Sequence, residues 1–226
     1  MEILRLSLVE GSKEARGLTV VIDVFRAFTT AAYVMANGAE QIHPVGSLEE
    51  AFRLRELHPD WVLMGERGGR KVPGFDYGNS PYEVSGVDFT GRTVVQTTSA
   101  GTQGIVNARS ADEILLGSFV MADAIVQYIK RKNPETVSLV AMGWGGQVKS
   151  PEDESLAEYI EKRLNGLEPD FEAMKQRIRK HPQGAKFFDP EQPEFVEGDF
   201  RCAMDLNRFG FCLRVVPGDP SSVEKA

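Results

Sequence analysis

Cysteine is nearly absent from this chain. Cys202 and Cys212 are the only two in 226 residues, which excludes a disulfide framework and fits a reducing compartment. Histidine is almost as scarce: His43, His58 and His181 share no metal-ligand spacing, lie near prolines, and read as structural or surface residues. No apolar run approaches the ~20 residues of a membrane-spanning helix. The first ten residues carry Glu2 and Arg5 inside their apolar stretch and lack the cleavage pattern of a signal peptide, so a cytoplasmic location is expected. Positive charge is also in deficit, with 26 Lys and Arg against 33 Asp and Glu, a net charge of −7. That balance repels nucleic acid and anionic membrane at long range, and neither is expected as a partner. Internal repeats and low-complexity linkers are missing too. A homo-oligomer is left open.

The 42% hydrophobic and 26% charged residues suit a globular protein, and the length suits one large domain over residues 1–226. Leu4, Leu6 and Leu8 alternate with polar residues as in a half-buried strand. Short β-branched or apolar runs at 19–23, 42–45, 61–64, 93–97, 136–142 and 212–216 read as further strands. Between them lie helical segments at 25–37, from Ser47 to Leu57 with Ser47 and Glu50 as a capping box, after Gly101, at 121–132 and from Ser150. The tail adds helices at 172–180 and 201–207 around a proline-broken passage. This alternation predicts a single α/β domain, with helices on both faces of a mostly parallel or mixed sheet.

Ligands of α/β sheets collect at the carboxyl ends of strands, and here those ends are rich in glycine, hydroxyl and charge. The loop from Gly65 to Pro81 holds five glycines, Glu66, Asp76, Arg67, Arg70, Lys71 and Asn79-Ser80. Glycines let backbone N–H groups turn toward an oxyanion, and Arg67 and Lys71 can neutralise phosphate. The bland alternative is a solvated surface loop, which seldom sets aromatics such as Phe75 and Tyr77 between glycines. The loop resembles a Walker A sequence, but its spacing is short and no Ser or Thr follows Lys71, so an NTPase is disfavoured. Asp23, after a buried strand, reads as an N-cap or a site residue. Arg26 in the first helical turn opposes the helix dipole, which makes sense beside an anionic ligand. Thr29 and Thr30 follow one turn on. Thr97 to Thr102 combines hydroxyls with Gly101 before a helix, either an oxyanion nest or an ordinary turn. Glu152 and Asp153 are explained as acids of a helix N-terminus, with a catalytic reading no stronger.

Cys202 and Arg208 fit the Cys-x5-Arg pattern of thiol-based phosphatases. The intervening AMDLN reads as helix, carries Asp205 and lacks glycine, so a small buried thiol is the preferred reading.

Taken in order, IDVFRAFTTAAYVMANGA (22–39), GERGGRKVPGFDYGNSP (65–81) and TTSAGTQG (97–104) resemble the 2-phosphosulfolactate phosphatases. GWGG (143–146), SPEDESLAEYI (150–160) and GDFRCAMDLNRFGFCLRVVP (198–217) are similar as well, so the resemblance spans Val20 to Pro217. It implies a three-layer α/β fold, Mg²⁺ dependence, and hydrolysis of 2-phosphosulfolactate to 3-sulfolactate on the route to coenzyme M. The residues it implies are Asp23, Arg26, Glu66, Arg67, Asp76, Asn79, Ser80 and the threonine-rich turn. On this reading Asp23, Glu66 and Asp76 hold Mg²⁺ and catalyse together with Arg26 and Arg67. Thr29, Thr30, Gly68, Gly69, Lys71, Asn79, Ser80, Thr98, Ser99, Gly101 and Thr102 bind a small anionic phosphate ester. Family members often carry asparagine where this chain has Ala100, a basic residue where it has Gln103, and a cysteine near Leu156. Those departures bear on the substrate more than on the reaction. The competing classes are a non-catalytic binder of an anionic metabolite and the thiol-based phosphatase.

Overall fold

The computed structural model describes residues 1–226. In chain order the elements are β1 (Glu2–Ser7), α1 (Leu8–Glu14), β2 (Gly17–Ile22), α2 (Ala27–Ala36), β3 (Gln41–Pro44), α3 (Leu48–Leu57), β4 (Val62–Arg67) and β5 (Arg70–Lys71). There follow α4 (Pro81–Val84), β6 (Thr93–Thr97), α5 (Gly101–Asn107), β7 (Ala111–Gly117), α6 (Ala122–Lys132), β8 (Thr136–Ala141) and α7 (Pro151–Leu164). The tail contains α8 (Phe171–Lys180), α9 (Pro182–Ala185), a 3₁₀ turn (Lys186–Phe188), α10 (Glu197–Ala203), β9 (Leu213–Val216) and β10 (Ser222–Lys225).

The strands form one mixed sheet in the order β1-β8-β2-β7-β9-β10-β3-β6-β4-β5. Two parallel blocks, β1-β8-β2-β7 and β3-β6-β4, are joined by the β9–β10 hairpin, which is antiparallel to both. In β2 and β8 every residue after the first is buried, so helices cover both faces of the central strands. A cluster of 51 buried residues fills these layers, and a smaller one around Leu54, Leu63 and Phe75 lies under α3. The α/β class and the mixed sheet match the sequence expectation.

Local chemistry explains most boundaries. Ser47 Oγ accepts the Glu50 N–H at 3.1 Å and opens α3, while Ser80 caps α4 in the same way through Glu83. Several elements depart from the sequence reading. β7 carries Asp112 and Glu113, which break its apolar signal; Glu113 is satisfied by Tyr128 and Arg214 from distant parts of the chain. α1 contains Gly11 and Ser12, both poor helix formers, yet both are buried by packing. β10 is a polar-edged strand held by pairing with β9 on one side and β3 on the other. The helix expected at 201–207 lies instead at Glu197–Ala203, and Asn207 adopts a left-handed φ of 59°.

α5 packs on β2 through a glycine. A Cβ on Gly104 would enter the space of Val21 Cγ1 and Met142 Sδ. Alanine is the better helix former by about 1 kcal/mol, but overpacking this layer costs about 1–3 kcal/mol. Gly104→Ala is therefore expected to lower the urea midpoint at constant m-value, and a raised midpoint would show that the layer relaxes.

Candidate active site

Four strand-end loops meet at one small cavity of about 100 Å³. What brings them together is a set of buried carboxylates that accept backbone N–H groups from neighbouring loops. Asp23, just past β2, accepts the N–H of Ala27 at 3.1 Å and that of Gly101, past β6, at 2.8 Å. Glu66, in β4, accepts the N–H groups of Ser99 at 2.6 Å and Gly69 at 2.7 Å. Asp153, in the first turn of α7, accepts those of Val24 and Gly143, each at 2.8 Å. The loops after β2, β4, β6 and β8 are thereby stitched to one another. Glu152 lies beside Asp153, 4% exposed, and its Oε2 has no partner in the protein.

Two cations face this acidity. Arg26 is 5% exposed and donates through Nη1 to Asp199 at 2.7 Å and Glu194 O at 2.9 Å, and through Nη2 to Gly69 O at 2.7 Å. Its Nε–H and second Nη2–H remain free. Asp199, fully buried, also accepts from Ser80 Oγ at 2.5 Å and Tyr82 N at 3.1 Å. Lys186 Nζ lies 3.9 Å from the Trp144 ring centroid and 4.2 Å from that of Phe195. Both rings line the cavity. The backbone N–H groups of Gly68, Ala100 and Gly145, all at the cavity wall, donate to no acceptor within the protein.

Burial governs the protonation of these groups. Desolvation pushes Asp23 up to about 6, with the nearby Glu66 adding to it and the Ala27 and Gly101 N–H groups opposing it. Glu152 rises to about 7 and Asp153 rises well above the usual carboxylate range, first through burial and then, for Asp153, through the Glu152 charge. Burial lowers Lys186 to about 8, against the pull of Glu152.

The structure sorts the sequence candidates. Asp23, Arg26, Glu66, Gly68, Gly69, Asn79 and Ser99 line the cavity, and Gly101 supplies an N–H to Asp23. Asp76 does not join Asp23 and Glu66: it pairs with Arg55, accepts the Leu63 N–H, and lines a separate cleft with Arg92. The expected triad of metal ligands is corrected accordingly, and no three acid, His or Cys side chains converge closely enough to cage an ion alone. Lys71 is exposed on β5, and Arg67 turns back to Glu66 O and Thr97 Oγ1, so neither lines the cavity. Thr29 and Thr30 bond to carbonyls of their own helix start, and Thr98 and Thr102 bond to each other. Ser80 acts through Asp199 rather than at the cavity.

Cys202 is half-buried, its thiol raised first by burial, and it lines a surface groove with Tyr33 and Arg208. The helix ends one residue after it, so AMDLN is largely a turn, contrary to the sequence reading; no phosphate cradle results. Ala100 lines the cavity, whereas Gln103 bonds Gly46 O at 2.7 Å. Lys186 and Phe195 escaped the sequence reading because nothing local in the tail marks them. Trp144 and Asp199 lie within the resembling segments 143–146 and 198–217, but no local feature singles either one out.

A sheet edge that concentrates acid, guanidinium and free backbone donors around so small a cavity is the working end of an α/β enzyme for small anions. Comparison supplies the family. A model of the 2-phosphosulpholactate phosphatase family matches residues 4–184, and the chain belongs to that family of phosphoric monoester hydrolases. Relatives named "Probable 2-phosphosulfolactate phosphatase" include one from Bacillus subtilis (strain 168), 32% identical over 206 residues covering 89% of this chain and 84% of the relative. One from Thermotoga petrophila is 39% identical over 179 residues, covering 74% and 76%. A third, from Parasynechococcus marenigrum (strain WH8102), is 31% identical over 219 residues, covering 89% and 88%.

Arg26→Ala and Asp199→Ala are each expected to destabilise the fold by about 3–5 kcal/mol, because each leaves a buried charge unpaired. The double variant should lose less than the sum, and additive losses in urea unfolding would show that the pair is not coupled. Cys202→Ser should keep phosphatase activity within about twofold, since the thiol touches neither the cavity nor its loops; inactivation by iodoacetamide with protection by phosphate would restore a thiol mechanism.

Proposed function

We propose that this chain hydrolyses a small acidic phosphate ester, 2-phosphosulfolactate, to 3-sulfolactate and inorganic phosphate, with Mg²⁺ as cofactor. The observation that carries the reading is the cavity at which buried Asp23 and Glu66 meet Arg26 and free N–H donors, with Glu152, Asp153 and Lys186 buried near enough for their charges to be felt there. Binding an anion alone would call for the cations and glycine loops but not for the carboxylates, which oppose it.

The donors fit a hard cation. All are oxygens, they outnumber the neighbouring cations, and Glu152 Oε2 is buried without a partner. Mg²⁺ commonly takes one or two carboxylates and completes its shell with substrate oxygens and water, so a full protein cage is not needed. Asp23 and Glu66 would hold it, using lone pairs left over from their backbone bonds. When bound, the ion neutralises phosphoryl charge and lowers the pKa of a bound water.

The chain's own groups then have separable roles. Arg26 offers Nε–H and Nη2–H to the phosphoryl oxygens in a fixed fork, held by Asp199 behind it. The N–H groups of Gly68, Ala100 and Gly145 add donors for charge that spreads over those oxygens in the transition state. Asn79, buried with Oδ1 unpartnered, offers a polar contact to the ester. Glu152, raised to about 7 by burial, adds acidity behind the cavity rather than at its wall. Trp144 and Phe195 exclude bulk water and strengthen every charge interaction inside.

Phosphate release from 2-phosphosulfolactate should vanish in EDTA and return with Mg²⁺; full turnover after rigorous chelation would remove the metal from the mechanism. Stability provides a second readout. Asp23 and Glu152 bind protons more tightly folded than unfolded, so in the metal-free protein the stabilisation these two groups give is complete only below about pH 4. That contribution is lost as pH rises to about 7, through the folded values near 6 and 7. The loss is on the order of 3 kcal/mol, counting the two as one coupled unit. Lys186 is charged in both states over that window and does not reverse the trend. In EDTA the melting temperature should therefore fall between pH 5 and 7.5, and Mg²⁺ should recover it most at the upper end. A flat profile would mean that the carboxylates are not held at raised values.

A further inference from the structure

Lys186 is a buried ammonium without a counter-ion. It is 8% exposed, makes one hydrogen bond, to Gln183 Oε1 at 2.7 Å, and has no carboxylate within ion-pair distance. Two of its three N–H donors are therefore unused. Such a group costs stability unless something anionic meets it. Its surroundings say where that anion comes from. Trp144 and Phe195, the rings that Nζ faces, are both cavity walls, and Arg26 lies over the same Phe195 ring, 5.1 Å from its centroid. The two cations thus flank one phenyl group, and Arg26 makes Lys186 harder to keep charged. Arg26 is ion-paired with Asp199, whereas Lys186 has no ion-pair partner and feels the buried carboxylates, Glu152 first, only at longer range.

We propose that Lys186 is a specificity-determining residue that binds a second anionic group of the substrate, a carboxylate or sulfonate, while Arg26 binds the phosphoryl group. The assignment rests on the phosphatase reading above. It makes the enzyme selective for phosphate esters carrying a further negative charge close to the ester carbon, and poor on esters that lack one. Aromatic walls suit this role: they shield the ammonium from water without offering it a competing acceptor, so its unused donors stay available. The other role open to a lysine here, neutralising Glu152, Asp23 and Glu66 from a distance, would affect every phosphate ester alike.

The test compares the wild type with Lys186→Met on 2-phosphosulfolactate and on phenyl phosphate, which carries no second anion. The ratio of the two kcat/KM values is expected to fall about 10- to 100-fold in the variant, the size of a lost charge-assisted hydrogen bond. The fall should appear mainly in KM for the sulfonated ester, and Lys186→Arg should recover part of it. An unchanged ratio would overturn the assignment. Calorimetric titration with 3-sulfolactate gives an independent arm: affinity should drop by a similar factor in Lys186→Met, and equal affinity overturns the proposal even where no turnover is seen. A wild type that binds 3-sulfolactate through Lys186 yet releases phosphate from neither ester would refute the phosphatase reading and, with it, the role in substrate selection, leaving only anion binding by Lys186. Should Lys186→Met fail to fold, the wild type alone decides. It should prefer 2-phosphosulfolactate and 2-phospholactate over isopropyl phosphate by at least about tenfold, and equal rates on all three would refute the selectivity.

Discussion

Everything at the working end of this protein depends on backbone N–H groups donated to buried carboxylates. Asp23, Glu66 and Asp153 each accept from two residues, and in every case at least one donor sits on a loop from another strand. A carboxylate with several N–H donors is a strong crosslink, because charge-assisted bonds are shorter and stronger than neutral ones. It also fixes backbone rather than side chains, so the glycine-rich segments that face the cavity keep one conformation. Glycine 101 shows how tight the arrangement is: a Cβ there would sit 2.8 Å from Asp23 Oδ2.

The same crosslinks create an electrostatic problem that the function resolves. Gathering Asp23, Glu66, Glu152 and Asp153 in a desolvated space raises the proton affinity of three of them. The N–H donors offset part of that cost, and Lys186 and Arg26 offset more. What remains is a site whose buried carboxylates hold protons more tightly than free carboxylates do. Stability is given up where the chemistry occurs, and the 51-residue core behind the sheet carries the rest of the fold.

The C-terminal tail completes the site rather than capping the fold. Residues 186 to 199 bring Lys186, Phe195 and Asp199 against the loops of the N-terminal strands. Arg26 is held from three sides by this segment and by Gly69. Its placement against the helix dipole, odd in isolation, follows from a partner 173 residues away.

Strand and helix identities were legible wherever pattern and caps were strong: the β-branched run of β2, the Ser47 cap of α3, the proline start of α7. So was the cluster of polar strand ends, because glycine, hydroxyl and charge at such ends are local features. Asp23, Arg26 and Glu66 could be picked out on those grounds. Asp76 could not be told apart from them, since a carboxylate in a glycine loop reads the same whether it faces the cavity or, as here, Arg55. Glu152 and Asp153 looked like ordinary helix-start acids, and only the approach of β2 and β8 buries them. Residue order alone determined the α/β class, the glycine loops and the excess of acid over base. Which carboxylates share a cavity, and that Lys186 is buried against its aromatic walls without an ion-pair partner, was decided by tertiary packing, because burial and long-range charge pairing depend on distances in space that spacing along the chain does not encode.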